Sequence, residues 1–213
     1  MKIQWLGHAS FIIETQGKRI ITDPFDKKYG YQVYSREVDI VTVSHEHADH
    51  NAVHELLGSP RVIKGPGSFA LDEITIKGIH SFHDQYQGKN RGSNIMYKIS
   101  SEDLNLLHLG DLGQQALTNG QLAEIGEVDI LLIPVGGNYT IDAKDALTIV
   151  KQINPYIIVP MHFKTAHVTI DLEPVEAFTC QFERCVKKAY LELNKQDLSA
   201  EPLVIVLDYL YCA

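Results

Sequence analysis

No stretch of this sequence approaches the roughly 20 consecutive apolar residues that a helix needs to cross a bilayer. The amino-terminal segment MKIQWLGHASF is broken by Gln4 and His8, which denies it the uninterrupted apolar core of a signal peptide. A cytoplasmic protein without a membrane partner is expected. Cysteine is scarce: Cys180, Cys185 and Cys212 form an odd set with no C-x-x-C pair, which excludes a secreted disulfide scaffold. Reduced thiols packed among apolar side chains are expected instead. Positive charge is also in short supply, since 19 Lys and Arg face 27 Asp and Glu. That balance disfavours a nucleic acid as routine partner and favours a small-molecule substrate. No linker, low-complexity tract or fixed-period repeat interrupts the 213 residues. One domain spanning 1–213 follows, large enough to bury a core without staples.

What the sequence does have, in its first half, is a series of short apolar runs bounded by Gly, Asp and Pro. Ser10–Glu14, Arg19–Thr22, Ile40–Ser44, Ile74–Ile79, Asn94–Ile99 and Leu104–Leu109 have the length and the Ile, Val and Thr content of strands. Helical spacing appears between and after them. Asn51 is placed to cap a short helix ending near Gly58. Asp142 is placed to cap another, carrying Ala146, Leu147, Val150 and Ile153 and stopped by Asn154-Pro155. A third is expected from Pro174 to about Asn194. The runs DILLIPV, YIIVPMH and LVIVLDY read as strands among these helices. The pattern is that of an α/β protein with helices covering sheet faces.

One nine-residue stretch, VSHEHADHN (Val43–Asn51), crowds three histidines, a glutamate and an aspartate together directly after a strand. Such groups repel or titrate against one another unless a cation binds them. Imidazole nitrogens and carboxylate oxygens are the ligands that zinc, manganese and iron accept. Other strands deliver similar side chains at their carboxyl ends: His80 and His83 in GIHSFHDQ, His108 and Asp111 in LLHLGDLG, His162 in IIVPMHFKT. Open α/β sheets place ligands at that edge. His80 shares strand parity with Ile74 and Ile76 and should point at a core. His108 shares parity with Leu104 and Leu106 and reads as a buried hydrogen-bonder. Asp23 in TDPF is placed to orient a ligand histidine through its far ring proton. His54 and His167 read as surface or helix residues.

With these residues in order, the chain resembles the metallo-β-lactamase-fold hydrolases: His45-x-His47-x-Asp49-His50, a downstream His, Gly110-Asp111 and His162. WLGHASF, DPF, HD followed by RGSN, HLGDLG and PVGGNYT make it similar to the branch that holds ascorbate-6-phosphate lactonase-like and uncharacterised metal-dependent hydrolases. The resemblance implies a four-layer αβ/βα sandwich with two metals at the edge between its sheets. It implies that one metal takes His45, His47 and a histidine of the third segment. His83 matches the HD placement there, and His80 is the alternative. The second metal would take Asp49, His50 and His162, with Asp111 bridging both and His8 brought nearby. The same resemblance implies oligomeric relatives, so a homo-oligomer is an expectation.

The function expected is metal-dependent hydrolysis of an ester, lactone or phosphoester of a small, anionic molecule by water activated on two divalent ions. Zinc leads, with manganese or iron as alternatives. Asp49 and Asp111 are the catalytic carboxylates. The loop QGKNRGSN, bearing Lys89, Arg91 and Asn94, together with Lys164 and the Asn138-Tyr139 turn, supplies substrate-side candidates. Two alternatives use the same fold: an RNA-processing nuclease, and an iron-dependent oxygenase or redox protein. A non-catalytic metal-binding protein is a third.

Overall fold

The computed structural model describes residues 1–168 and 170–210. Among these described residues fourteen strands follow one another: β1 (Lys2–Gly7), β2 (Ser10–Thr15), β3 (Lys18–Thr22), β4 (Ile40–Val43), β5 (Arg61–Lys64), β6 (Gly67–Leu71), β7 (Ile74–Phe82), β8 (Ser93–Ser101), β9 (Leu104–His108), β10 (Ile130–Pro134), β11 (Ile157–Met161), β12 (Cys185–Lys188), β13 (Leu191–Glu192) and β14 (Leu203–Leu207). Three α-helices join them: α1 (Asn119–Ile125), α2 (Ala143–Ile153) and α3 (Glu176–Thr179). A six-stranded sheet has the order β13-β1-β2-β3-β4-β5, and an eight-stranded one β12-β14-β11-β10-β9-β8-β7-β6. In each sheet an antiparallel meander passes into parallel pairing, at β3–β4 in the first and β9–β10 in the second.

The central strands of both sheets are buried on both faces, which explains why they read as continuous apolar runs. In β2, Phe11 and Ile13 enter the main core while Ile12 faces the other way into a smaller cluster with Ile21, Val41 and Val43. The main core continues through the eight-stranded sheet to α2 and α3, with Ala146, Ile149 and Phe178 fully buried. Trp5 fills its centre against Phe163, at 4.9 Å between ring centroids, and its indole N–H donates to the His8 carbonyl at 3.0 Å.

The sandwich is the expected one, but its helical layers are thin. The outer face of the six-stranded sheet is covered by irregular chain carrying Phe25, Tyr31, Tyr34 and Leu172. α2 forms as expected: Asp142 accepts from the N–H groups of Lys144 and Asp145, and Asn154 ends the helix in a left-handed conformation. The helix expected after Asn51 is a single 3-10 turn, Val53–Glu55, while the Asn51 side chain donates to Glu46. The helix expected from Pro174 to Asn194 stops after one turn at Thr179. Beyond it Cys185–Lys188 pairs in parallel with β14, because the open edge of that strand offers a full ladder that outweighs helical periodicity. Cys180 and Cys185 are free but exposed, so they do not pack in the core, and Cys212 lies outside the described residues. Among the described residues no helix is long and apolar enough to cross a membrane.

Candidate metal centre

Every residue of the cluster leaves the end of a strand at one edge of the sandwich. His8 lies in the β1–β2 turn, Asp23 follows β3, His45–His50 follow β4, His83 follows β7, Asp111 follows β9 and His162 follows β11. Three of these turns are tight enough to force non-glycine residues into the left-handed region: His8 at φ 54°, Asp23 at 41° and His162 at 52°. Such strain persists where the surroundings over-determine it. Gly110 carries φ 57°, and a Cβ there would lie 2.4 Å from Asn94 Oδ1 and 2.6 Å from the Ser44 Cβ. Only glycine lets the Asp111 turn close against β4.

Asp111 is the centre. It is buried, and three imidazoles from three different strand ends turn Nε2 toward its Oδ2: His50 at 3.1 Å, His83 at 3.3 Å and His162 at 3.3 Å. Its Oδ1 is also buried and has no partner, nor does His50 Nε2 make a hydrogen bond. Two groups of donor atoms around this carboxylate, each within 4.8 Å, are His45, His47 and His83, and His8, His50 and His162; a third, Asp23, His45 and His50, links them. Asp49 Oδ2 stands beside the second, 3.2 Å from His8 Nε2 and 3.8 Å from His50 Nε2.

A ring of hydrogen bonds behind these groups fixes their orientation. Asp23 is fully buried; Oδ1 accepts from the Ser44 N–H at 2.7 Å, and Oδ2 from the Ser44 hydroxyl at 2.5 Å and from His50 Nδ1 at 3.0 Å. This leaves His50 Nε2 as the free face of the ring. Asn94 Oδ1 accepts from the Asp111 N–H, while its amide donates to the Leu109 carbonyl and to Ser81. His108 bonds the Ala9 carbonyl through Nε2 and accepts from the Gly110 N–H, outside both donor groups, as a buried hydrogen-bonder should.

The electrostatics point one way. Burial, followed by the neighbouring His162, lowers the His8 pKa to about 4, and burial and His50 lower that of His45 to about 3. Burial also lowers His83 and His108. Although burial opposes it, His162 and His50 hold Asp111 well below the usual carboxylate range, and His8 and His50 hold Asp49 below it. His50 alone moves up: burial disfavours its charge, but Asp111 and Asp23 hold its proton. Neutral His8, His45 and His83 beside ionised Asp49 and Asp111 are protonation states in which such groups can ligate a cation. The orphaned Asp111 Oδ1 and His50 Nε2 and the all-imidazole and carboxylate donor set fit divalent ions.

Not every expected residue belongs here. His80 is exposed and bonds Ser93 Oγ at 3.3 Å, because the cover over its face of β7 ends at Gly78, against which the Gly65 carbonyl packs. His83 is therefore the third-segment residue at the cluster. Lys164 turns away and donates to the Val168 and Ile170 carbonyls, closing its own loop. His167 is half-buried against Tyr31 and Tyr209 rather than exposed. Sequence reasoning misses Asp84. Its carboxylate accepts the backbone N–H groups of Tyr86, Gly88, Asn90 and Arg91, and so shapes the loop beside His83. An Asp followed by a Gly- and Asn-bearing loop is the signal that could have found it.

Two hollows flank the cluster, one of about 340 Å³ reaching His83 and one of about 370 Å³ reaching His45 and His47. A larger one, about 900 Å³, lies at the opposite end of β2 and β3 with no histidine in its lining.

Fold and site together define a metal-dependent hydrolase of the sandwich class. A profile described as "Beta-lactamase superfamily domain" matches residues 2–162, and the chain belongs to that superfamily. It is 32% identical to a UPF0173 metal-dependent hydrolase of Carboxydothermus hydrogenoformans, over 78% of this chain and 85% of the relative. It is 28% identical to another from Methanopyrus kandleri, over 91% and 95%. A crystal structure from Thermotoga maritima, described as a candidate Zn-dependent hydrolase of the metallo-β-lactamase superfamily, superposes with a TM-score of 0.81 at 40% identity, covering 97% of each chain.

Proposed function

We propose that this hydrolase works with two divalent ions, zinc foremost with manganese or iron(II) as alternatives, and cleaves an ester, lactone or phosphoester of a small molecule. The observation that carries the reading is Asp111: a buried carboxylate faced by three imidazoles on one oxygen and left without a partner on the other. A carboxylate so placed would help to hold both ions. His45, His47 and His83 would hold one ion, and His50, His162 and Asp49 the other. When bound, the ions would supply Lewis acidity and lower the pKa of water to about 7.

The chain's own residues do the rest. Asp23 keeps the His50 proton on Nδ1, and Asn94 and His108 hold the Asp111 turn. Asp49 is half-buried at the edge of the cluster, where its carboxylate would accept a hydrogen bond from the attacking water and so orient it. His8 ties Asp49 down and lies against His162 at 4.2 Å between ring centroids, the rings tilted by 39°.

The test is metal depletion followed by reloading with Zn, Mn or Fe(II), assayed on a panel of esters, lactones and phosphoesters with Asp111→Ala as control. Activity lost on depletion, restored by a divalent ion and missing from the variant is the expected result. Activity that survives exhaustive chelation refutes it. Iron found after expression without added metal, with a visible chromophore, would favour the oxygenase reading.

A further inference from the structure

Arg91 lines both hollows that flank the histidines, meeting His83 in one and His45 and His47 in the other. Its guanidinium lies over the Tyr139 ring, 4.8 Å from the centroid, and spends one N–H on the Asn138 carbonyl at 3.4 Å. Among the described residues it forms no ion pair. The other cation in these linings, Lys64, is committed to Glu46 at 3.1 Å. The acids are committed too: Asp84 to four backbone N–H groups, Asp142 to the cap of α2, and Asp145 to Gln115 Nε2 at 3.3 Å. One of the Asp84 bonds is to the Arg91 N–H itself, at 2.8 Å, so the backbone that carries the guanidinium is pinned.

We propose that Arg91 is the anion anchor of the substrate site, receiving a carboxylate or phosphate group of a small molecule whose scissile bond lies over the histidines. A guanidinium presents paired donors that match both oxyanions, and a cation–π contact with Tyr139 holds the group without using those donors. Divalent ions beside it would deepen the positive potential that draws an anion into the hollow. The inference rests on the hydrolytic reading for the position of the scissile bond, but not for anion binding itself.

The experiment has two arms on the metal-loaded protein. In the first, 4-nitrophenyl acetate and 4-nitrophenyl hemisuccinate, neutral and anionic esters with one leaving group, are compared in wild type, Arg91→Gln and Arg91→Lys. The ratio of kcat/KM, anionic over neutral, should fall at least tenfold in Arg91→Gln and less in Arg91→Lys. In the second, inorganic phosphate and succinate are titrated calorimetrically against the same proteins, and binding should weaken at least tenfold in Arg91→Gln. The anion that loses more names the group. An unchanged ratio, an equal loss on both esters, or anion binding independent of Arg91 overturns the proposal. If neither ester is cleaved but anion binding still depends on Arg91, the anchor stands and hydrolysis of such esters falls. Should Arg91→Gln fail to fold, a threefold or larger loss of discrimination in Arg91→Lys decides the matter, because that variant keeps the charge and loses the fork.

Discussion

Replacing Asp23 by asparagine should separate the stability of the fold from the affinity of the site. The wild-type carboxylate, fully buried, takes three hydrogen bonds: two from Ser44, at 2.7 and 2.5 Å, and one from His50 Nδ1 at 3.0 Å. Alanine would strand all three buried donors at about 1–3 kcal/mol each. It would also put alanine, which lacks the tolerance of Asp and Asn for positive φ, at φ 41°. The total approaches the whole stability of an ordinary domain, about 5–15 kcal/mol, so Asp23→Ala would report mostly unfolding. Asparagine tolerates the left-handed backbone and keeps an acceptor for the Ser44 N–H, which limits the loss to about 1–2 kcal/mol. Its amide N–H₂, however, faces His50 Nδ1 and forces that nitrogen to accept. The ring proton then moves to Nε2, 3.1 Å from Asp111 Oδ2, where it blocks a cation. Affinity at the His50 ion should fall about 10–100-fold, the usual effect of losing such a partner. Zinc titration against a competing chelator, beside denaturant unfolding of the metal-free proteins, measures both quantities. An Asp23→Asn variant that binds zinc within twofold of wild type would refute the tautomer argument.

Other consequences are shorter to state. His83→Ala should remove about one ion per chain while His80→Ala removes none, read by elemental analysis of dialysed protein. Gly110→Ala forces a Cβ against Asn94 Oδ1 and Ser44 at a left-handed φ; a drop in Tm of several degrees together with lost metal binding is expected, and an unshifted melt contradicts the packing described. Backbone hydrogen bonds from Arg91, Asn90, Tyr86 and Gly88 outweigh burial and hold the Asp84 pKa below its ordinary value of 3.8. A depressed carboxyl contributes stability that is complete above the unfolded value and is lost as pH falls through the folded one. The stability gap between wild type and Asp84→Asn should therefore be constant at neutral pH and shrink below about pH 4, measured by denaturant unfolding across that range.

The strand ends were legible because chemistry and pattern coincide there. An apolar run stopped by His-x-His-x-Asp-His, by Gly-Asp or by Met-His announces both a buried strand and a polar turn at its end. Asp142 and Asn154-Pro155 bounded α2 for the same reason: capping is local. What depended on distant partners was not legible. Val175, Phe178, Phe182, Cys185 and Ala189 have helical spacing, but the second half of that stretch is claimed by the free edge of β14. His80 obeys parity, yet the cover over its face ends two residues earlier. Lys164 stands two residues from His162, and its direction is set by carbonyls at Val168 and Ile170. His8 was expected merely near the cluster; its place between Asp49 and His162 follows from the left-handed turn after β1, which no local signal announces.

The central claim is that imidazoles and carboxylates from six strand ends gather around two cations with Asp111 between them. Anomalous diffraction from zinc-loaded crystals tests it most directly. Two peaks astride Asp111 are predicted, one contacted by His45, His47 and His83 and the other by Asp49, His50 and His162. No peak at Asp111, or zinc bound solely at the surface group Asp26, His54 and Glu55, would contradict it.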